Sequence, residues 1–143
     1  MSAVIDANLI AAMVLPLPYS DLAARRIMNW KQAGLELLAP VLLEYEVAAI
    51  LRKAVMARWL STDLAVEAMG DILALRVRCV TPTRDVYERA LRWAGRLGRS
   101  KAYDAHYLAL AEQQGAELWT ADKRLAAAAK QAGAHWVHWV GEE

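Results

Sequence analysis

Residues 103–125 read YDAHYLALAEQQGAELWTADKRL. Tyr107, Leu108 and Ala111 recur at helical spacing, and Gly115 stands where such a helix should stop. Leu118 to Thr120 is a short apolar run of strand length, and Asp122 falls where the next helix should open. The order helix, glycine, strand, acid, helix is one turn of an α/β alternation.

The same alternation extends outward to both ends of the chain, without a Ser/Gly-rich linker or a low-complexity block. Further strands are expected at Ala3 to Ile5, Leu35 to Leu38, Val77 to Val80 and Trp136 to Val140. Leu43, Val47, Ile50, Leu51, Ala54 and Val55 recur at helical spacing, and Gly34, Gly98 and Gly133 are further helix stops. Ser20 before Asp21, Ser61 and Thr62 before Asp63, and Thr83 before Asp85 are expected to cap helices, with acids in the first turn to complement the dipole. Seven helices with five strands predict a three-layer α/β/α sandwich around a five-stranded parallel sheet, one domain over residues 1–143.

Composition narrows the class. With 143 residues, 57% of them hydrophobic, the chain is able to bury roughly two-thirds of its unfolded surface and is short for two ordinary domains. Seventeen basic residues against 16 acidic ones exclude a polycation, so any electrostatic signal for nucleic acid is local. The single cysteine, Cys79, has no partner for a disulfide and is expected to act as a small buried hydrophobe. The opening MSAVIDANLI has no basic region before its apolar stretch and carries Asp6 within it, which predicts a cytoplasmic protein without signal peptide or membrane anchor.

An open parallel sheet binds ligands beyond the carboxyl ends of its strands, where strand order reverses. Asp6 ends the first strand, and Asp122 follows the fourth. Glu46 lies near the start of the helix after the second strand, with Glu44 a competitor that periodicity does not separate from it, and Asp104 begins the helix before the fourth strand. Four acids from distant parts of the chain are thus expected at one edge. Each alone also reads as a cap, since Asp at a strand end or helix start commonly caps. Together they would repel one another and persist best around a divalent cation, and hard oxygen donors select Mg²⁺ or Mn²⁺ over zinc.

The strings IDANLI (Asp6), PVLLEYEVAAIL (Glu46), YDAHYLALAE (Asp104) and ELWTADKRL (Thr120, Asp122) occur in an order, and over nearly the whole chain, that resembles the PIN domain, specifically its small VapC-like toxin branch. The resemblance favours Glu46 over Glu44, because the family places its acid directly before Val. It implies a metal-dependent endoribonuclease, in which Asp6 and Asp104 are the main Mg²⁺ or Mn²⁺ ligands. Glu46 would bind directly or through water, and Asp122 would complete the site or orient the attacking water. It also implies an RNA substrate, a small antitoxin partner, and a homodimer or higher homo-oligomer. Two departures bear on the hydrogen bonds that orient the acids: Ala49 stands where the family often has Asn, and Asn8 where it often has Ser or Thr. Thr120 would hydrogen-bond the metal's surroundings or simply be a buried strand threonine.

Substrate contacts are sought in the segment from Arg84 to Lys101, where six positives against two negatives give +4 in a chain of net +1. Arg89, Arg92, Arg96 and Arg99 share a helix face that reads as a phosphate track or as an ordinary solvated face. Lys101 would meet phosphate or pair with a site carboxylate. His106, His135 and His138 form no zinc spacing. Trp136 and Trp139 read as packing residues, with base stacking or a subunit contact as the other use. Two rival readings are a catalytically silent PIN-like module that binds RNA or protein, and a receiver-like phosphoacceptor domain. The second would need a paired acid motif near the first strand, which is absent.

Overall fold

The computed structural model describes residues 1–98 and 102–142. In chain order its elements are β1 (Ser2–Ile5), α1 (Ala7–Ala11), α2 (Ser20–Gln32), β2 (Glu36–Pro40), α3 (Leu43–Met56), α4 (Thr62–Ala74), β3 (Arg78–Val80), α5 (Arg84–Arg96), α6 (Tyr103–Gln114), β4 (Glu117–Thr120), α7 (Lys123–Gln131) and β5 (Val137–Trp139). The strands form one all-parallel sheet in the order β3-β2-β1-β4-β5 with helices layered on its two faces, as the alternation predicts.

Strand order reverses at β1. Its neighbours are β2, with Val4 opposite Leu38, and β4, with Ile5 opposite Trp119. A central parallel strand is covered on both faces and therefore has no polar side: Val4 and Ile5 are fully buried. Helix α6 is similarly enclosed, burying Ala105, Tyr107, Leu108, Ala109, Leu110 and Ala111, so it is apolar nearly all round. By contrast, α5 buries a single stripe of Val86, Ala90, Trp93 and Ala94 and leaves its charged side outward.

The expected helix stops hold. Gly34, Gly98, Gly115 and Gly133 all have positive φ, and Gly115 is the left-handed C-cap that turns α6 into β4. Arg58 and Arg76 take the same backbone conformation beyond α3 and α4 without glycine's freedom. Ser61 and Thr83 cap α4 and α5 through their hydroxyls, as expected. Ser20 does not: it is the first residue of α2, and its hydroxyl is taken by the preceding loop, accepting from Leu17 N–H at 2.9 Å and donating to the Leu15 carbonyl. Cys79 is half-buried rather than buried. Its Sγ lies 3.8 Å from a Glu44 carboxylate oxygen, and burial followed by the charge of Glu44 pushes the thiol's pKa up. Among the described residues no helix is long and apolar enough to cross a membrane.

Candidate functional site

β1 delivers Asp6 to the carboxyl edge of the sheet. Asp6 occupies the N-cap position of α1, yet its side chain makes no cap hydrogen bond. The carboxylate is 5% exposed and instead accepts from the Thr120 hydroxyl at 2.8 Å. Burial pushes its pKa up to about 7; the Thr120 hydroxyl and the Ala7 N–H oppose this, and the charges of Asp104 and Glu46 add to it. Capping alone does not account for such a residue.

Glu46, in the first turn of α3, is one of those neighbours. Its pKa is raised by burial, lowered by a hydrogen bond from Tyr107, and raised by Asp104. Tyr107 donates its hydroxyl to Glu46 Oε1 at 2.6 Å from the buried face of α6. Burial and the surrounding carboxylates, Asp6 first among them, drive the phenol pKa upward, so Tyr107 stays a protonated donor. Asp104 lies in the first turn of α6, the end of that helix nearest the sheet edge. Glu44 faces elsewhere, toward Cys79 in a small depression lined by Leu43, Ile72, Leu73 and Val77. The structure therefore brings Asp6, Glu46 and Asp104 together from three separate elements and leaves Glu44 out.

Asp122 is placed differently. Its Oδ1 caps α7 by accepting from Leu125 N–H at 3.0 Å, which is the ordinary role of an acid at that position. It joins the cluster through Thr120, whose hydroxyl oxygen accepts from Asp122 N–H at 3.0 Å while donating to Asp6. Asn8 locks the same turn by accepting from Ala121 N–H at 3.0 Å. Thr120 is fully buried and Asn8 partly so, and together they fix the β4–α7 turn against α1. Tyr19 lies beside Asp122: burial, then the charge of Asp122, raises its pKa.

Arg89, Arg92 and Arg96 do share a face, but it is turned away from the acids. Arg89 pairs with Asp85 and with Glu112, both at 2.8 Å, and Glu112 lies eight residues along α6 from Asp104, roughly 12 Å of helix. Arg96 stacks on Trp93, 4.1 Å from the ring centroid, and reaches the Ala132 carbonyl beyond the far end of α7. With Asp85, Glu88, Trp93 and Glu112 these arginines line a depression of about 350 Å³ in which acids match them in number. Arg99 and Lys101 lie outside the described residues. Among the described residues, Lys123 and Arg124 are exposed cations at the start of α7, directly after Asp122, and charge counting over the Arg-rich segment did not point to them. The Tyr107 hydroxyl was likewise hidden, inside a run that reads as purely apolar.

The family pattern described as "PIN domain" matches residues 3–131. The chain belongs to the PIN-domain family. This PIN domain superposes on a protein from Pyrobaculum aerophilum with a TM-score of 0.72 at 21% identity, covering 98% of this chain and 84% of that one. It superposes on a toxin–antitoxin complex from Klebsiella pneumoniae with a TM-score of 0.69 at 18% identity, covering 99% of both chains. For VapC20 of Mycobacterium tuberculosis, described as a toxin that cleaves the sarcin–ricin loop, the TM-score is 0.65 at 21% identity, with 88% of this PIN domain and 94% of that toxin covered. These are likenesses of fold. No curated protein matches the sequence significantly.

Proposed function

We propose that this PIN domain is a divalent-metal-dependent endoribonuclease and the toxin of a toxin–antitoxin pair. The observation that carries the reading is the convergence of Glu46 and Asp104 on Asp6, which is buried and not used as a cap. Family membership and the toxins among the structural neighbours support it.

Among the described residues no group of three or more His, Cys, Asp or Glu side chains is arranged to hold a metal ion. The acids are hard oxygen donors, which favour Mg²⁺ or Mn²⁺ over zinc, and Mg²⁺ is commonly held by one or two carboxylates with water and substrate phosphate completing its shell. Asp6 and Asp104 would hold the ion, with Glu46 direct or through water and Asp122 at the margin. When bound, the ion supplies a lowered pKa to water and positive charge to the scissile phosphate. The chain's own part is orientation: Thr120 fixes the Asp6 carboxylate, and Tyr107 fixes Glu46. Apolar side chains exposed on α3 and α4, including Tyr45, Met56, Leu64, Val66 and Leu73, would serve an antitoxin or a second copy of the chain.

The test is cleavage of a mixed RNA pool by the purified chain with Mg²⁺ or Mn²⁺ against EDTA, alongside Asp104→Asn. Cleavage that needs both the metal and the carboxylate supports the reading. A folded chain that cuts nothing under any condition overturns it in favour of a silent binding module.

A further inference from the structure

We propose that Trp139, with Lys123 beside it, is a stacking subsite for an unpaired nucleobase of the RNA strand flanking the acid cluster; this rests on the ribonuclease reading and goes beyond it. Parallel register sets Ile5 opposite Trp119 and Thr120 opposite Trp139. Asp6, Thr120 and Trp139 therefore occupy one row across β1, β4 and β5, and the Asp6–Thr120 hydrogen bond follows that row. At about 4.8 Å per strand, the backbone of Trp139 lies roughly 10 Å from that of Asp6, within reach of a flanking nucleotide.

Four of the other five tryptophans are committed to internal contacts; the fifth, Trp59, is exposed beyond the end of α3, outside the row that carries Asp6 and Thr120. Trp93 and Trp136 pack edge to face at 5.9 Å. Trp119 is enclosed by Trp30 at 5.3 Å, His138 at 4.8 Å and the Arg26 guanidinium at 4.5 Å. The ring of Trp139 is partly exposed, with the Lys123 ammonium 4.8 Å from its centroid. The indole packs closely on the Gly141 backbone: a Cβ at that position would fall 2.3–2.6 Å from three of its carbons, so a side chain there would displace the ring. Lys123 is itself exposed and free to swing, so an incoming base can replace the ammonium over the ring while the ammonium moves to the adjoining phosphate. Arg124 is exposed beside it, giving the site two cations in the first turn of α7.

The experiment measures binding of a short, unstructured, fluorophore-labelled RNA by anisotropy with Mg²⁺ present. It uses the Asp104→Asn chain so that nothing is cut. Added Trp139→Leu is expected to weaken binding about five- to 150-fold, the span of a lost base stack, with Trp139→Tyr restoring most of it. Abasic nucleotides placed in turn should reveal one position that costs affinity in the Trp139 chain and costs nothing in Trp139→Leu. Lys123→Gln, at an exposed position, should lower the salt slope of binding by about one. Equal affinity of Trp139→Leu, or abasic costs identical in both chains, overturns the subsite; so does an unchanged salt slope, even if the leucine variant does not fold. If Asp104-containing protein cleaves RNA while these tests fail, only the subsite falls; if it neither binds nor cuts RNA, both readings fall.

Discussion

Two charged regions of this chain obey opposite rules. Along the seam between α5 and α6, Arg84 pairs with Glu88 at 3.0 Å, and Arg89 with Asp85 and Glu112 at 2.8 Å; the pKa of Asp85 falls, held down first by its hydrogen bond from Arg89. At the carboxyl edge of the sheet, Asp6 has the carboxylates of Asp104 and Glu46 as neighbours, and burial, with a smaller push from these two charges, sends its pKa the other way. The seam charges find partners within the fold, whereas Asp6 is buried beside groups of its own sign. That arrangement is sustained most simply by an ion or substrate from outside.

The largest expected effect sharpens that contrast. Asp6→Asn and Asp104→Asn should each lower RNA cleavage by more than the roughly 10- to 100-fold that loss of a ligand's outer partner costs. Asp6→Asn should melt no lower than the parent in EDTA. Parallel loss of activity and melting temperature would instead make these acids structural. Next in size is Tyr107→Phe, which takes away the donor to Glu46: cleavage should fall roughly 10- to 100-fold, with about 1 kcal/mol of stability lost in denaturant unfolding. Unchanged cleavage would detach Glu46 from the chemistry.

A third effect separates the regions by pH. The native pKa of Asp6, about 7, lies above its ordinary 3.8, so between these values the folded chain holds a proton that the unfolded chain has lost. Its contribution to stability is therefore full below about pH 4 and is lost as pH rises toward 7. Melting in EDTA should show this decline, Asp6→Asn should flatten it, and Mg²⁺ should reduce it by favouring the ionised form. A profile in EDTA identical for parent and variant would contradict the raised pKa of the buried carboxyl. The smallest effect belongs to the seam: Arg89→Met should lower the melting temperature slightly, less so in high salt, and leave cleavage unchanged. Loss of cleavage there would restore the arginine face as a substrate track.

Much of this was legible in the sequence because hydrophobic period and glycine stops are local signals. The strands fall within two residues of their expected bounds, and β5 is shorter than Trp136 to Val140 only because Val140, though its N–H still reaches the Thr120 carbonyl at 2.8 Å, lies past the ladder's last pair. Direction was not legible. Glu44 and Glu46 both flank one helical stripe, and the packing of β3 against β2 draws Glu44 toward Cys79. The Arg face was found as a face, but which way it turned depended on Glu112 and Ala132, residues distant in sequence. Ser20 shows the converse, where a local cap signal lost to a competing loop contact.

The hydroxyl of Thr120 touches Asp6, 114 positions earlier in the chain, while Glu46 and Tyr107 are 61 positions apart. No fragment lacking β4 contains this arrangement, so a chain emerging from the ribosome has no finished site until Thr120 has been made. A site that cuts RNA would stay unassembled on the ribosome that makes it up to that point, and any inhibitor has its earliest useful moment only then.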